Sequence, residues 1–264
     1  MRITLGCLNT VNSILGLVPG RVWIVSDMWE ELVARLIPDS DWESLNTATY
    51  NLGRPFTSKT FNRSLMFWEK DAFDRYFPAA PARVLVTAAG GGREVNELLA
   101  RGYTVCAFEP ALGLSLLCEE IARHDSEFTF TRLGYDQFTA ETGVPFEGLF
   151  DAVVVGWGSF GHLPNQHMMT QLLSKLRKMC PAGPILLSWL PALELGRFRK
   201  WFSHLLGVLG ATTSSLYSSR DGLFYLLNQE IVTQMAHAQG DKFVQLTKFK
   251  STEAGMLLHQ GVDI

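Results

Sequence analysis

Cysteine is sparse in this chain. Its four, Cys7, Cys106, Cys118 and Cys180, lie far apart, and no C-x-x-C pair occurs. That scatter fits reduced thiols in a reducing cytoplasm, with Cys106 as a buried residue of a core strand. An excess of charge is also missing. A formal net charge of −3 over 264 residues, with no basic cluster interleaved with aromatics, leaves no electrostatic footprint for nucleic acid. Long hydrophobic runs are absent too. The most apolar early stretch, residues 3 to 19, is broken by Asn9, Asn12 and Ser13. It is too short and polar to span a membrane and carries no clear cleavage site of a secreted leader. Internal repeats and low-complexity tracts are lacking.

What is present is core material. Apolar residues make up 47% of the chain, and 17 phenylalanines are among them. That is enough for one globular domain with an appendage, or for two small ones. Asp27 and Glu30 form a capping pattern for a helix from Met28 to Ile37 that stops before Pro38. Met28 thus offers a second start of translation, and residues 1–26 are set aside in the fold reading. Residues 38–63 read as turn-rich, with unusual aromatics and amides: Trp42, Tyr50, Asn51, Phe56, Phe61 and Asn62. A further helix is expected from Ser64 to Phe77, with Leu65, Trp68, Ala72, Phe73 and Tyr76 broadly on one face.

From residue 82 strands and helices alternate, which predicts a mainly parallel sheet with helices on both faces. The expected strands are 83–88, 103–109, 128–133, 151–155, 185–189, 223–227 and 243–250. Helices are expected over 93–101, 111–123, 193–209 and 229–239, and from Asn165 to Met179. Residues 211–219 read as a loop of small polar residues.

The first strand, Val84-Leu85-Val86, runs through Ala88 and Ala89 into Gly90-Gly91-Gly92 and then into a helix. Glycines there let backbone approach a ligand where a Cβ would collide, and the helix start offers unpaired N–H groups. The second strand ends on Glu109-Pro110, a carboxylate placed to accept hydrogen bonds from a ribose diol. Asp136, between Tyr135 and Gln137, follows the third strand. The fourth exits through Gly156-Trp157-Gly158-Ser159-Phe160-Gly161-His162-Leu163-Pro164. The carboxyl ends of successive strands are where open α/β sheets bind ligands.

In these parts, over roughly residues 82–250, the chain resembles the class I S-adenosylmethionine (SAM)-dependent methyltransferases. The resemblance implies a Rossmann-like seven-stranded α/β sheet preceded by an N-terminal helical cap. It implies that Ala88, Ala89, Gly90, Gly91 and Gly92 carry the methionine moiety and that Glu109 and Pro110 hold the ribose. Tyr135, Asp136 and Gln137 would contact the adenine, with Gly156 and Trp157 completing the cofactor site. Strand one departs from the family, with Val86 where an acid is frequent. The loop after strand four is similar to that of glycine N-methyltransferases and related small-molecule enzymes, but Gly158 replaces their asparagine, so glycine is not implied as acceptor.

The expected activity is methyl transfer from SAM to an oxygen or nitrogen of a small-molecule acceptor, as in specialised metabolism, yielding S-adenosylhomocysteine. His162 is the candidate general base; the alternative is that it caps or packs the following helix. Tyr50, Asn51, Trp68, Ser159 and Trp201 are candidate acceptor-binding residues. No metal is expected, since no acidic cluster follows strand four. The expected organisation is a lid region over residues 1–78 and a SAM domain over 79–264, with a cap-like insertion around 190–222. A cytoplasmic monomer or homodimer without nucleic-acid or membrane partners is anticipated. An NAD(P)-dependent oxidoreductase is the rival, although Val95 stands where a dinucleotide fingerprint needs its third glycine. A non-catalytic ligand-binding protein of the same fold is a third reading.

Overall fold

The computed structural model describes residues 34, 36–51, 57–58, 62, 64–140, 146–191, 215–218, 222–248 and 253–259. Among the described residues, two complete helices precede the sheet. The first, α1 (Asp39–Asn51), occupies ground that reads as turn-rich in the sequence. Its start is marked by Pro38 and by Asp39 and Asp41 in the first turn, which favours the positive end of the helix dipole. Trp42, Asn46 and Thr49 are buried at helical spacing on its inner face. Helix α2 (Phe67–Tyr76) begins where the Met66 N–H donates to the Glu69 carboxylate at 2.6 Å.

The sheet follows as β1 (Arg83–Thr87), α3 (Arg93–Ala100), β2 (Thr104–Phe108), α4 (Leu112–His124), β3 (Phe128–Thr131), α5 (Tyr135–Thr139) and β4 (Ala152–Val155). A 3-10 turn (Ser159–His162), α6 (Gln166–Met179) and β5 (Ile185–Trp189) come next. The hairpin β6 (Ser215–Ser218) and β7 (Gly222–Tyr225), α7 (Gln229–Ala238), β8 (Asp241–Lys248) and β9 (Glu253–His259) complete the described chain. Asn165 and Asn228 cap α6 and α7, accepting the N–H of Met168 and Ile231, each at 2.9 Å.

Seven strands form one sheet in the order β3-β2-β1-β4-β5-β9-β8. β1 to β5 are parallel, while β9 runs antiparallel to both β5 and β8. The expected count of seven therefore holds with a different membership. The segment read as strand 223–227 leaves the main sheet for the two-stranded hairpin, and its place is taken by β9, a segment not read as a strand. The expected helix 193–209 lies outside the described residues, as do residues 1–33, Trp201 and most of the 190–222 insertion.

Side chains alternate between two cores. Leu85, Phe108, Val153, Val155 and Leu187 face α6 and α7. Val84, Val86, Ala107, Val154 and Leu186 face α2, α3 and α4. Strands buried on both faces explain the unbroken apolar runs of the sequence. The sheet order reverses between β1 and β4, and the site opens at that switch point.

Candidate functional site

At the carboxyl ends of β1, β2 and β4 lies a cavity of about 380 Å³, a size usual for small-molecule sites. The turn after β1 forms one wall. Ala88 has φ 48° and Gly90 φ 56°, left-handed backbone that costs an alanine strain and a glycine none. A Cβ on Gly90 would meet nothing within 4 Å, so its backbone is bare toward the cavity. Gly92, at φ 83°, ends the turn and starts α3.

Glu109 joins this turn to the tip of β2. Its Oε2 accepts the Gly90 N–H at 3.0 Å and its Oε1 accepts the Ala111 N–H at 2.9 Å. Burial pushes the carboxyl up to about 7, against the two N–H bonds, which lower it. Each oxygen has a further lone pair for a ligand hydroxyl.

Asp136 lies in the first turn of α5, where its backbone N–H donates to Glu43 of α1 at 2.9 Å. Burial and the adjacent Asp136 carboxylate push Glu43 up to about 7. Beside them, Tyr135 Oη joins Thr87 Oγ1 at 3.0 Å and Ser159 Oγ at 2.8 Å, and Ser159 donates on to the Gly156 carbonyl at 2.7 Å. This buried hydroxyl chain ties the ends of β1 and β4 together.

The start of α3 contributes Arg93 and Glu94. Arg93 pairs with Glu69 at 2.5 Å and with Glu94 at 2.7 Å, all three side chains being buried. Burial and the neighbouring Glu94 raise Glu69 to about 7. Trp157 lies over this group, its ring centroid 5.8 Å from the Arg93 guanidinium.

On the opposite wall α1 reaches across to the 3-10 turn and the hairpin. His162 Nε2 is 3.0 Å from Tyr50 Oη, and its Nδ1 is 3.0 Å from the Leu223 carbonyl. Burial holds the imidazole down to about 4. The helical-capping role considered for His162 is filled instead by Asn165.

Of the residues picked from sequence, Ala88, Ala89, Gly90, Gly91, Glu109, Pro110, Tyr135, Asp136, Trp157, Ser159, His162 and Tyr50 line this cavity. Gly92, Gln137, Gly156, Asn51 and Trp68 do not. Gln137 is exposed, its Oε1 accepting the Gly134 N–H. Gly156 packs behind the wall, against the Ala88 carbonyl. Asn51 is exposed at the end of α1, and Trp68 is buried in the core beneath α2. Glu43, Asn46, Arg93, Glu94 and Phe224 line the cavity without having been picked. Arg93 and Glu94 adjoin the glycine turn in the sequence, a signal open to reading. Asn46 and Phe224 carry none, because they meet only through the fold. Among the described residues, no group of three or more His, Cys, Asp or Glu side chains is placed to hold a metal ion.

No protein-family model matches the sequence, and no curated protein matches it. Solved structures do share its fold. A putative Zn-dependent alcohol dehydrogenase from Rhodobacter sphaeroides is 15% identical with a TM-score of 0.58, covering 82% of this chain and 98% of its own. The 1,6-didemethyltoxoflavin-N1-methyltransferase of Burkholderia thailandensis, crystallised with 1,6-didemethyltoxoflavin and S-adenosylhomocysteine, is 16% identical with a TM-score of 0.57. That likeness covers 87% of this chain and 89% of the other. A SAM-dependent methyltransferase from Methanosarcina mazei is 13% identical with a TM-score of 0.53, covering 74% of this chain and 96% of its own. At such identities the likeness establishes the doubly wound seven-stranded fold.

Proposed function

We propose that this chain is a SAM-dependent methyltransferase acting on an oxygen or nitrogen of a small-molecule acceptor. The observation that carries the reading is convergence. The bare backbone of Gly90, the Glu109 carboxylate and Asp136 come from three successive strand ends onto one cavity. Such a row matches a ligand with a polar head, a ribose diol and a base bearing an amino group. Several solved structures of this fold are methyltransferases crystallised with SAM or S-adenosylhomocysteine, which supports the same cofactor here.

In this reading the Gly90-Gly91 backbone takes the methionine part, Glu109 the two ribose hydroxyls and Asp136 the adenine amine. Val86 is buried in the core and is not among the residues that line the cavity. Glu94, on the cavity wall, is the carboxylate placed nearest the turn in sequence for the methionine amino group. Bound SAM supplies a methyl group activated by its sulfonium, so the protein's task is to align the acceptor and take up its proton. The far end of the cavity, between Tyr50, His162, Phe224 and Trp189, is the acceptor chamber. Its aromatic walls suit a small molecule, and His162 is the group there able to accept a proton.

Calorimetry with SAM and with NADH tests the cofactor. Saturable SAM binding with no response to NADH is expected. Binding of NADH without SAM would replace this reading with an oxidoreductase. SAM binding without formation of S-adenosylhomocysteine over a broad acceptor panel would replace it with a ligand-binding role.

A further inference from the structure

The acceptor chamber is built around a histidine whose hydrogen bonds fix the position of its proton. The Leu223 N–H donates to Asn46 Oδ1 at 2.7 Å, which orients that amide. Asn46 Nδ2 then faces the carbonyls of Leu223 at 3.2 Å and His162 at 3.5 Å. His162 Nδ1 stands 3.0 Å from the same Leu223 carbonyl. A carbonyl can only accept, so Nδ1 carries the hydrogen, and Nε2 keeps its lone pair. The 3.1 Å approach of Asn46 Nδ2 to Nδ1 is then that of two donors sharing one carbonyl. Tyr50 Oη, 3.0 Å from Nε2, is the donor in that bond. Phe224 lies along the imidazole at 4.3 Å between ring centroids, and Tyr50 meets it edge-on at 5.4 Å.

We propose, resting on the methyltransferase reading, that Tyr50 and His162 form a proton path from the acceptor, and that the acceptor is a neutral planar aromatic molecule whose nucleophilic atom bears a hydrogen: a phenolic O–H or a ring N–H. The ligand class follows from the chamber. Its walls of Trp189, Leu190 and Phe224 suit a flat apolar ring. Arg93, the cation lining the cavity among the described residues, is held by two carboxylates.

The transfer balances as follows for a phenol. The acceptor oxygen forms its bond to the methyl carbon, and the S–C electron pair stays on sulfur. The acceptor O–H proton passes to Tyr50 Oη as the tyrosine's own proton moves to His162 Nε2. Methyl ether, S-adenosylhomocysteine and an imidazolium result, and the imidazolium then releases its proton to solvent. A weak base suffices, because the acceptor proton becomes far more acidic once the new bond to carbon forms. Burial keeps the ring unprotonated at neutral pH, so the lone pair is always ready. Among the described residues, the charged groups lining the cavity are Asp39 and Glu43 of α1, Arg93 and Glu94 of α3, Glu109 and Asp136. The ring's own bonds go to the Leu223 carbonyl and to Tyr50 Oη.

The test uses the full chain with SAM and two matched probes, 2-naphthol, which bears an O–H, and quinoline, whose ring nitrogen bears no hydrogen. Formation of S-adenosylhomocysteine with 2-naphthol alone is expected. Tyr50→Phe should lower that turnover about 100-fold, within the usual range for losing acid–base assistance, with an unchanged SAM dissociation constant. Equal methylation of quinoline, no methylation of 2-naphthol by protein that binds SAM, or full turnover by Tyr50→Phe overturns the proposal and leaves the cofactor reading standing. Failure to bind SAM removes the underlying reading instead. Nitrogen-15 spectra of the histidine-labelled wild type give a check independent of any acceptor. They should show hydrogen on Nδ1 and no titration of His162 between pH 5.5 and 8. Hydrogen on Nε2, or titration near an ordinary histidine value, overturns the proton path.

Discussion

Glu109 holds Gly90 by its backbone: the carboxylate at the tip of β2 accepts the glycine N–H at 3.0 Å. The acid and the glycine turn, 19 residues apart, thus make a single wall. The same carboxylate, proposed to bind the ribose diol, also sets the shape of the loop proposed to carry the methionine moiety.

SAM affinity should therefore depend on pH. The ionised carboxylate can accept from both ribose hydroxyls, whereas in the free protein burial keeps Glu109 protonated until about pH 7. Affinity should rise as pH increases through 7 and the proton is shed before binding. Between pH 6 and 8 the dissociation constant should fall about tenfold, the worth of one pKa unit of proton release. Calorimetry at those two values checks this, and Glu109→Gln should bind more weakly with little pH dependence. The sign for stability is opposite. A carboxyl raised from 4.5 to about 7 contributes stability that is fully present below 4.5 and lost as pH rises through 7.

Gly156→Ala should damage the same wall from behind. A Cβ there would sit 2.2 Å from the Ala88 carbonyl oxygen and 2.8 Å from that of Thr87. Both are backbone atoms and cannot swing aside. A loss of about 1–3 kcal/mol in urea unfolding is expected, as for overpacked cores, together with weaker SAM binding. Gly158→Ala separates space from backbone strain. Nothing lies within 4 Å of its Cβ position, but its φ is 73°, so about 1–2 kcal/mol is expected from the left-handed conformation alone. Equal and negligible effects of the two changes would show that the contact does not constrain the turn.

Much of this architecture was legible because it is local. The sequence of apolar run, glycine turn and helix around residues 84–100 encodes β1, its turn and α3 in adjacent residues. Val84 and Leu85 fall on opposite faces because alternation along a strand leaves no choice. Glu109 and Trp157, which line the cavity, sit at strand ends where topology alone points them. What was missed is non-local. Glu253–His259 contains Gly255, whose missing Cβ makes room for the Phe243 ring of the neighbouring strand, and a strand glycine reads as a breaker in sequence. Asn46 became a site residue only because α1 folds across the carboxyl edge of the sheet to meet the hairpin.

Asn46→Ala tests that crossing. The amide accepts the Leu223 N–H at 2.7 Å and faces the Leu223 carbonyl at 3.2 Å, both sides of one buried residue. Its removal leaves the N–H unsatisfied, which costs about 1–3 kcal/mol. Hydrogen exchange should show faster opening of α1 and of β7 together, with β1 and β2 unaffected. Opening of α1 alone would mean that the hairpin is held by other contacts.

Arg177 offers a stability test remote from the cavity. It donates to Asp241 at 2.9 Å and to the carbonyls of Cys180 and Gly183 at 2.8 and 2.7 Å. Asp241 begins β8, and Gly183 precedes β5, so this pair lies at the amino edge of the sheet, opposite the site. Both side chains are buried. Arg177→Met takes the guanidinium from Asp241, leaving His259 Nδ1 at 3.4 Å beside the carboxylate, and should cost about 3–5 kcal/mol. Adding Asp241→Leu removes that carboxylate, so the double variant should be more stable than Arg177→Met alone, although the single losses would sum to a larger deficit. The remaining loss would then belong to the Cys180 and Gly183 carbonyls, which the guanidinium also serves. SAM affinity should stay unchanged in every folded member of the cycle, since no strand end at the cavity contacts this pair. Additive losses in urea unfolding would show that Arg177 stabilises the edge through those carbonyls and not through Asp241.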